Sequence, residues 1–423
     1  MKRVVIITYY WPPAGGPGVQ RWLKFVKYLP EFGIDPIVFV PENPHYPILD
    51  NSLLDEVPEG VEIHRQPIFE PYRFAAILSR KKTKRISSGI IRTGNQSTLE
   101  KVMLWVRGNF FIPDARKYWV KSSVPYLSEL ITKENLKTII TTGPPHSVHL
   151  IGQQLKQKHQ LKWIADFRDP WTSIGYHKKL RLTPSSQKKH KALERSVLNG
   201  ADLLLTTSDT TRKEFQAITK KPIELITNGF DSNYTGGADL DDTFTISHIG
   251  SLLTGRNPEN LWKVLSEIVR ENETFRKDLQ LEFLGVVSED VMDSLHENGL
   301  APYIHLKGYV SHEQALHRQR EAQVLLLVEI DSEDTKGIVP GKLFEYMAAR
   351  RPILALGPED WDAGTIILET NTGDVFRYQE YSRLKNVLLE WFAAYRQGKL
   401  NVGSKDIEKY SRRALTQQLA EYL

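Results

Sequence analysis

Short runs of apolar, largely β-branched residues recur along the chain at the spacing of strands that alternate with helices, and this rhythm constrains the fold more than any single motif. The first such run, Arg3–Tyr10, is followed by a Pro/Gly loop and then by Val19, Trp22, Leu23 and Val26, the i, i+3, i+4, i+7 spacing of an amphipathic helix. Further runs at Pro36–Val40, Lys137–Thr141, Lys162–Phe167, Asp202–Thr207 and Ile223–Thr227 predict βαβ units and a parallel sheet. A second set runs through Phe244–Ile249, Leu279–Leu284, Tyr303–Leu306, Gln323–Val328 and Pro352–Leu356. Between the two sets, Thr235-Gly236-Gly237-Ala238-Asp239-Leu240-Asp241-Asp242 has no periodicity and reads as a linker. The chain is therefore expected to be α/β, with two doubly wound halves, a division its 423 residues also favour.

The charge is divided along the same line. Residues 1–238 hold 35 Lys+Arg against 21 Asp+Glu, a net of +14, whereas the remainder holds 21 against 30, a net of −9. Such an asymmetry predicts a large or surface-like anionic partner for the first half and specific contacts for the second. Within the first half, the stretch 72–121 interrupts the strand–helix rhythm with 12 Lys+Arg, only Glu100 and Asp114 in opposition, and apolar residues such as Ile90, Trp105 and Phe110 between them. It reads as an insertion that favours an anionic membrane surface, with a solvated helical excursion as the plainer alternative.

Several chemistries are excluded. With no cysteine there is no disulfide, thiolate nucleophile or thiolate metal site. The start Met1-Lys2-Arg3 ahead of Val4-Val5-Ile6-Ile7 lacks a small-x-small cleavage pattern and reads as a buried first strand. No run approaches the roughly 18 apolar residues of a membrane span. The Asp-x-Asp pair Asp239 and Asp241 falls in the linker, and no His-Glu-x-x-His occurs, so no metal site is expected. No serine sits in a nucleophile-elbow pattern.

Candidate binding residues cluster after the strands. In the first half, the turn containing Gly15 and Gly16 lets backbone approach a ligand and aims amides at an anion; as a dinucleotide fingerprint it fails, because Arg21 stands where a small residue is required. His146, in Thr142-Gly143-Pro144-Pro145-His146-Ser147, and Asp169, in Asp166-Phe167-Arg168-Asp169-Pro170-Trp171, follow strands at the end where open α/β sheets hold ligands. His146 could donate to a sugar or leaving group and Asp169 could orient a hydroxyl; the alternatives are a solvent-facing cap and a local Arg168–Asp169 ion pair, and His149 stays open as the active histidine. In the second half, Gly250, Ser251 and Arg256 leave a strand for a helix, a place where a diphosphate could be held, or where Arg256 merely faces solvent.

The segment Pro340-Gly341-Lys342-Leu343-Phe344-Glu345-Tyr346-Met347-Ala348, followed by Pro352-Ile353-Leu354, carries a resemblance across the whole chain. It resembles the donor site of the retaining family-4 glycosyltransferases of GT-B type, two Rossmann-like domains facing a cleft. The resemblance implies that Glu345 binds the ribose hydroxyls of a nucleotide and that Gly341, Lys342 and Leu343 meet the diphosphate. It places Gly250 at the glycine of the family's donor motif and Arg256 at its lysine, while Ser251 stands where an arginine is expected and Gly337 where the family has an earlier Glu. Leu306-Lys307-Gly308-Tyr309-Val310-Ser311 is similar to the family's base-binding loop, which makes Tyr309 and Val310 donor-site candidates. The Pro-x-Lys form resembles a bacterial polysaccharide and glycolipid subset.

What the resemblance implies is transfer of a sugar from a nucleoside-diphosphate sugar to a glycan or polyprenyl-diphosphate-linked acceptor, with retention. No metal or other cofactor is expected, and His146, Asp169, Arg256 and Lys342 are the catalytic candidates. The first domain is expected over residues 1–235 for the acceptor, the donor domain over 243–405, and a closing helix over 406–423 that returns to the first domain. Nucleic acid is not an expected partner. The place of action is expected to be cytoplasmic, at the inner face of the membrane. The alternatives are a sugar-nucleotide epimerase of the same fold and a non-catalytic sugar-nucleotide or polyanion-binding protein.

Overall fold

The structure, a computed structural model, describes residues 1–70, 98–231 and 238–423. The chain divides into two compact units, Met1–Thr227 with Arg412–Leu423, and Asn228–Ser411. The division thus falls at Thr227/Asn228, ahead of the Gly236-Gly237 stretch, of which residues 232–237 lie outside the described ones.

The first unit is built on a seven-stranded sheet of β1 (Lys2–Thr8), β2 (Ile34–Pro41), β3 (Glu62–Gln66), β4 (Thr138–Gly143), β5 (Lys162–Phe167), β6 (Leu203–Thr206) and β7 (Ile223–Leu225), in the order β3-β2-β1-β4-β5-β6-β7. All its pairings are parallel. In β1, Val5 and Ile7 enter one core with Ile37, Phe39 and Ile139, while Val4 and Ile6 enter the other with Val38, Val40 and Ile140. A strand whose side chains are buried on alternate faces needs apolar residues at every position, which is why these strands read as continuous runs. Helix Pro17–Tyr28 covers one face through Val19, Trp22, Leu23 and Val26, and helix Arg412–Ala420 joins the same core through Leu415 and Leu419.

The second unit repeats the plan with β8 (Phe244–Ile249), β9 (Leu279–Leu284), β10 (Ile304–Gly308), β11 (Val324–Val328), β12 (Ile353–Leu356) and β13 (Gly373–Phe376), ordered β10-β9-β8-β11-β12-β13 and parallel throughout. In each sheet the winding reverses beside one strand, at β1/β4 and at β8/β11, and the crevice beyond such carboxyl ends is where open α/β sheets bind ligands.

The basic stretch 72–121 is only partly described, since residues 71–97 lie outside the described ones. Its remainder contains helix Thr98–Phe110, docked through Leu104 and Gly108 against Leu180 and Leu182, with Asn109 bonded to the backbone of Arg181 and Thr183. Trp119 and Val120 belong to the main core, and Arg116 is buried beside Glu70 and Tyr9 rather than being a surface cation.

Candidate functional site

At the β8/β11 switch point, Gly250 follows β8 directly and holds φ at +104°, a left-handed conformation that a side chain rarely adopts. A Cβ there would also come within 3.0 Å of Lys342 Nζ, so the backbone turn and the lysine share one cradle. Behind it, His248 is buried; its Nδ1 lies 3.0 Å from the Leu326 carbonyl and its Nε2 lies 3.3 Å from Lys342 Nζ. Lys342 opens the eight-residue helix Lys342–Ala349, whose start carries no side-chain cap. No carboxylate forms an ion pair with its ammonium among the described residues. Burial and the nearby Arg256 pull Lys342 down to about 8, with Glu329 and Glu345 opposing the shift. A half-buried cation without a counter-ion is a place for an anion.

One turn along, Glu345 keeps part of its carboxylate open while Oε2 accepts a 3.0 Å hydrogen bond from Gln319 Nε2. His312 Nε2 stands 3.9 Å from Oε1. Tyr346, fully buried, ties the helix back to β8 by accepting from Ile249 N at 2.9 Å. Helix and glycine turn are thus pinned to each other by Tyr346 on one side and Lys342 on the other.

Arg256 is occupied. Its Nε and Nη2 donate to the two oxygens of Glu329 at 3.0 and 3.1 Å, and Glu329, only 2% exposed, accepts in addition from Ile330 N at 2.9 Å. Glu329 follows β11 directly and so stands at the switch point opposite Gly250. Arg256, its side chain 30% exposed, is therefore committed in part to Glu329; Nη1 remains the guanidinium nitrogen outside the Glu329 fork. Ser251 is exposed, and Tyr309 stands 94% exposed after the left-handed Gly308, while Val310 packs against the core. Gly341 caps the helix start and Leu343 is buried beneath it.

No family model and no curated protein sequence matches the chain. Solved structures do. The fold is similar to sucrose-phosphate synthase from Thermosynechococcus elongatus at 14% identity, covering 100% of this chain and 98% of that one with a TM-score of 0.60. It is similar to S. aureus TarM, in complex with Fondaparinux, alpha-GlcNAc-glycerol and UDP, at 11% identity, 100% and 99% coverage and a TM-score of 0.56. It is also similar to a putative UDP-N-acetylglucosamine 2-epimerase from Listeria monocytogenes at 12% identity, 99% and 95% coverage and a TM-score of 0.54. The fold is that of the GT-B class.

In the first GT-B unit, the β1/β4 switch point is filled by its own side chains. Gly16 caps helix Pro17–Tyr28 at φ +103°, while Gly15 N donates to Ile48 O at 3.0 Å. Two residues on, any Cβ at Gly18 would collide with the Arg168 guanidinium, which also donates from Nε to Gly143 O at 3.2 Å and from Nη2 to Pro144 O. The space beside this turn is thus taken by a resident cation, while the Gly15 and Val19 amides are spent on carbonyls of the chain. Asp169 forms no ion pair with Arg168 within the described residues, and burial pushes its carboxyl up while Arg168 opposes.

His146 is buried with both ring nitrogens lacking a partner, its ring stacked on Trp171 at 4.8 Å and 4°. It is not the solvent-facing cap of the plainer alternative. Burial, with His149 and Arg168 nearby, holds it well below the usual histidine value, so it is neutral at pH 7. His149 lies 2.9 Å from Thr141 Oγ1, which itself accepts from Trp163 Nε1 at 2.9 Å. That hydroxyl is then free to donate to Nδ1, leaving the unpartnered Nε2 to carry the proton. The residue that broke the dinucleotide fingerprint, Arg21, is fully buried and pairs with Asp166 at 2.8 Å while donating to Thr227 O at 2.7 Å. Asp166 also accepts from Trp22 and Thr142, which saturates it. Sequence reasoning missed Arg21–Asp166, His248 and Glu329; an isolated charged residue inside an apolar run was the available signal for Asp166 and for Arg21.

Proposed function

We propose that the chain is a glycosyltransferase that takes a sugar from a nucleoside-diphosphate sugar and passes it to a glycan or lipid-linked acceptor. The observation that carries this is Lys342, whose ammonium sits beside the Gly250 turn without a carboxylate and one helical turn from the half-open Glu345. A diphosphate supplies the missing negative charge, and Glu345 accepts from ribose hydroxyls, as the family-4 resemblance implies. As the nucleoside diphosphate departs, charge grows on its β-phosphate; Lys342 and the uncapped amides of the helix start stabilise it. Arg256 contributes through the nitrogen that Glu329 leaves free. The TarM structure, which holds UDP, supports the nucleotide assignment by analogy of fold. Retention at the anomeric carbon and independence of divalent metal complete the proposal.

For the first unit we propose acceptor binding, with His146 and Asp169 as its polar groups, and a peripheral contact with anionic lipid. Exposed Val102, Trp105, Phe110 and Tyr118 beside Lys117 support the latter. Action at the cytoplasmic face follows from such an acceptor. Retention of the protein by anionic vesicles at low salt, and release at high salt, tests it.

A thermal-shift panel of UDP-, GDP-, dTDP- and ADP-sugars tests the donor assignment, because a ligand at 100 times its dissociation constant adds about 2.7 kcal/mol. No shift with any of them refutes it. The similarity to the Listeria epimerase gives the second reading. Incubation of the stabilising donor without acceptor discriminates: an epimerised donor favours the epimerase, an unchanged one the transferase.

A further inference from the structure

We propose that His248 is a positioning residue of the donor site, resting on the reading above: its Nε2 accepts a hydrogen bond from Lys342 Nζ and fixes the ammonium at Gly250 with its other N–H groups left for an anionic diphosphate. The Leu326 carbonyl only accepts, so at 3.0 Å the His248 Nδ1 must carry a proton. The ammonium only donates, so at 3.3 Å the Nε2 must offer a lone pair. The two contacts together select one neutral tautomer; the Ser251 carbonyl, which like that of Leu326 favours a ring proton, is the competing acceptor. The groups facing this pair from each packed element are Arg256 from the loop after β8, Glu329 from the end of β11 and Glu345 from the lysine's own helix.

A neutral acceptor does what a carboxylate could not. It orients the ammonium yet leaves its full charge for the ligand, whereas an aspartate or glutamate here would cancel the charge the diphosphate needs. Of the two acids that face it, Glu329 is already held in the Arg256 fork and Glu345 accepts from Gln319. Burial, with Lys342 and Arg256 nearby, keeps His248 well below the ordinary histidine value, so the acceptor persists through the neutral and mildly acidic range.

Two measurements on the full chain test this. In long-range proton–nitrogen spectra of histidine-labelled protein at pH 7, His248 is expected neutral with the proton on Nδ1, and Lys342→Met is expected to move its Nε2 resonance. A proton on Nε2, or a resonance indifferent to Lys342→Met, overturns the proposal without reference to any ligand. Separately, calorimetry compares UDP, GDP, dTDP and ADP with their nucleosides. His248→Phe removes the acceptor and His248→Glu neutralises the ammonium; each is expected to cut the preference for diphosphate over nucleoside about tenfold to a hundredfold, with nucleoside affinity kept. His248→Gln, which can still present an oxygen, is expected to retain that preference within about threefold. Equal losses for nucleoside and diphosphate indicate a merely structural role and refute the positioning role. Failure of the unaltered protein to bind any diphosphate refutes the donor reading, while the ring-nitrogen result still decides the His248–Lys342 contact.

Discussion

Acidification is predicted to loosen the first unit at β4 and β5, and His149 sets the scale. The side chain is completely buried, and burial with Arg168 nearby brings it down to about 3 against the opposing pull of Asp166. An unfolded histidine takes its proton near 6.5, so between pH 6.5 and about 3 the unfolded chain holds a proton that the folded one does not. Stability therefore falls as pH falls through that window, by about 1.4 kcal/mol per unit and about 2 kcal/mol at pH 5. His146 acts in the same direction, whereas Asp169 and Glu194, whose values burial raises, act in the opposite one. The clean quantity is thus the difference between the unaltered protein and His149→Gln in their loss from pH 7 to pH 5. Hydrogen exchange of the β4 and β5 amides, corrected for intrinsic rates, reads it locally. We expect the loss to be smaller in the variant by about 2 kcal/mol; an identical loss in both refutes the reasoning.

Four further predictions bear on the two units. Arg21→Met strands Asp166 in the core and is expected to destabilise by about 3–5 kcal/mol in denaturant titration, with Arg21→Met/Asp166→Asn recovering part of the loss. Gly250→Ala imposes a left-handed residue and a Cβ against Lys342 Nζ; an expected cost of about 1–3 kcal/mol is checked by thermal unfolding. Nucleoside-diphosphate affinity is expected to be flat below pH 8 and to fall above it as Lys342, brought down to about 8, loses its charge; calorimetry across pH 7–10 checks this. Sugar transfer in the presence of excess chelator is expected to equal that with added magnesium, and strict dependence on the metal would overturn the metal-free mechanism.

The central strands were legible because parallel strands covered on both faces must be apolar at every position, as in Val4–Ile7 and Leu325–Val328. The two strands that escaped notice, β3 and β13, both lie at sheet edges. Their sequences, Glu62-Ile63-His64-Arg65-Gln66 and Gly373-Asp374-Val375-Phe376, carry polar residues that an edge tolerates and a centre does not. Arg21 was legible only as the residue that breaks a dinucleotide fingerprint, because its carboxylate partner lies 145 residues away on β5.

The same blindness to distant partners governs the donor site. The family-4 resemblance makes Arg256 the first phosphate cation and Lys342 a second one, on their positions in the donor motifs. What separates them is Glu329, 73 residues beyond Arg256, whose buried carboxylate commits two of the guanidinium's three nitrogens. Without Arg256, Glu329 would be a buried charge beside the cradle and would draw Lys342 to itself; with Arg256, Glu329 is satisfied and Lys342 is left to a neutral histidine. On the proposed donor reading, the arginine's first role is to keep a carboxylate away from the lysine. Glu329→Gln should then preserve diphosphate binding better than Arg256→Gln, which releases the acid onto Lys342, and calorimetry with UDP, GDP, dTDP and ADP ranks the two. If Arg256→Gln proves the milder change, the guanidinium does not act as a guard, and the division of labour between the two cations is refuted.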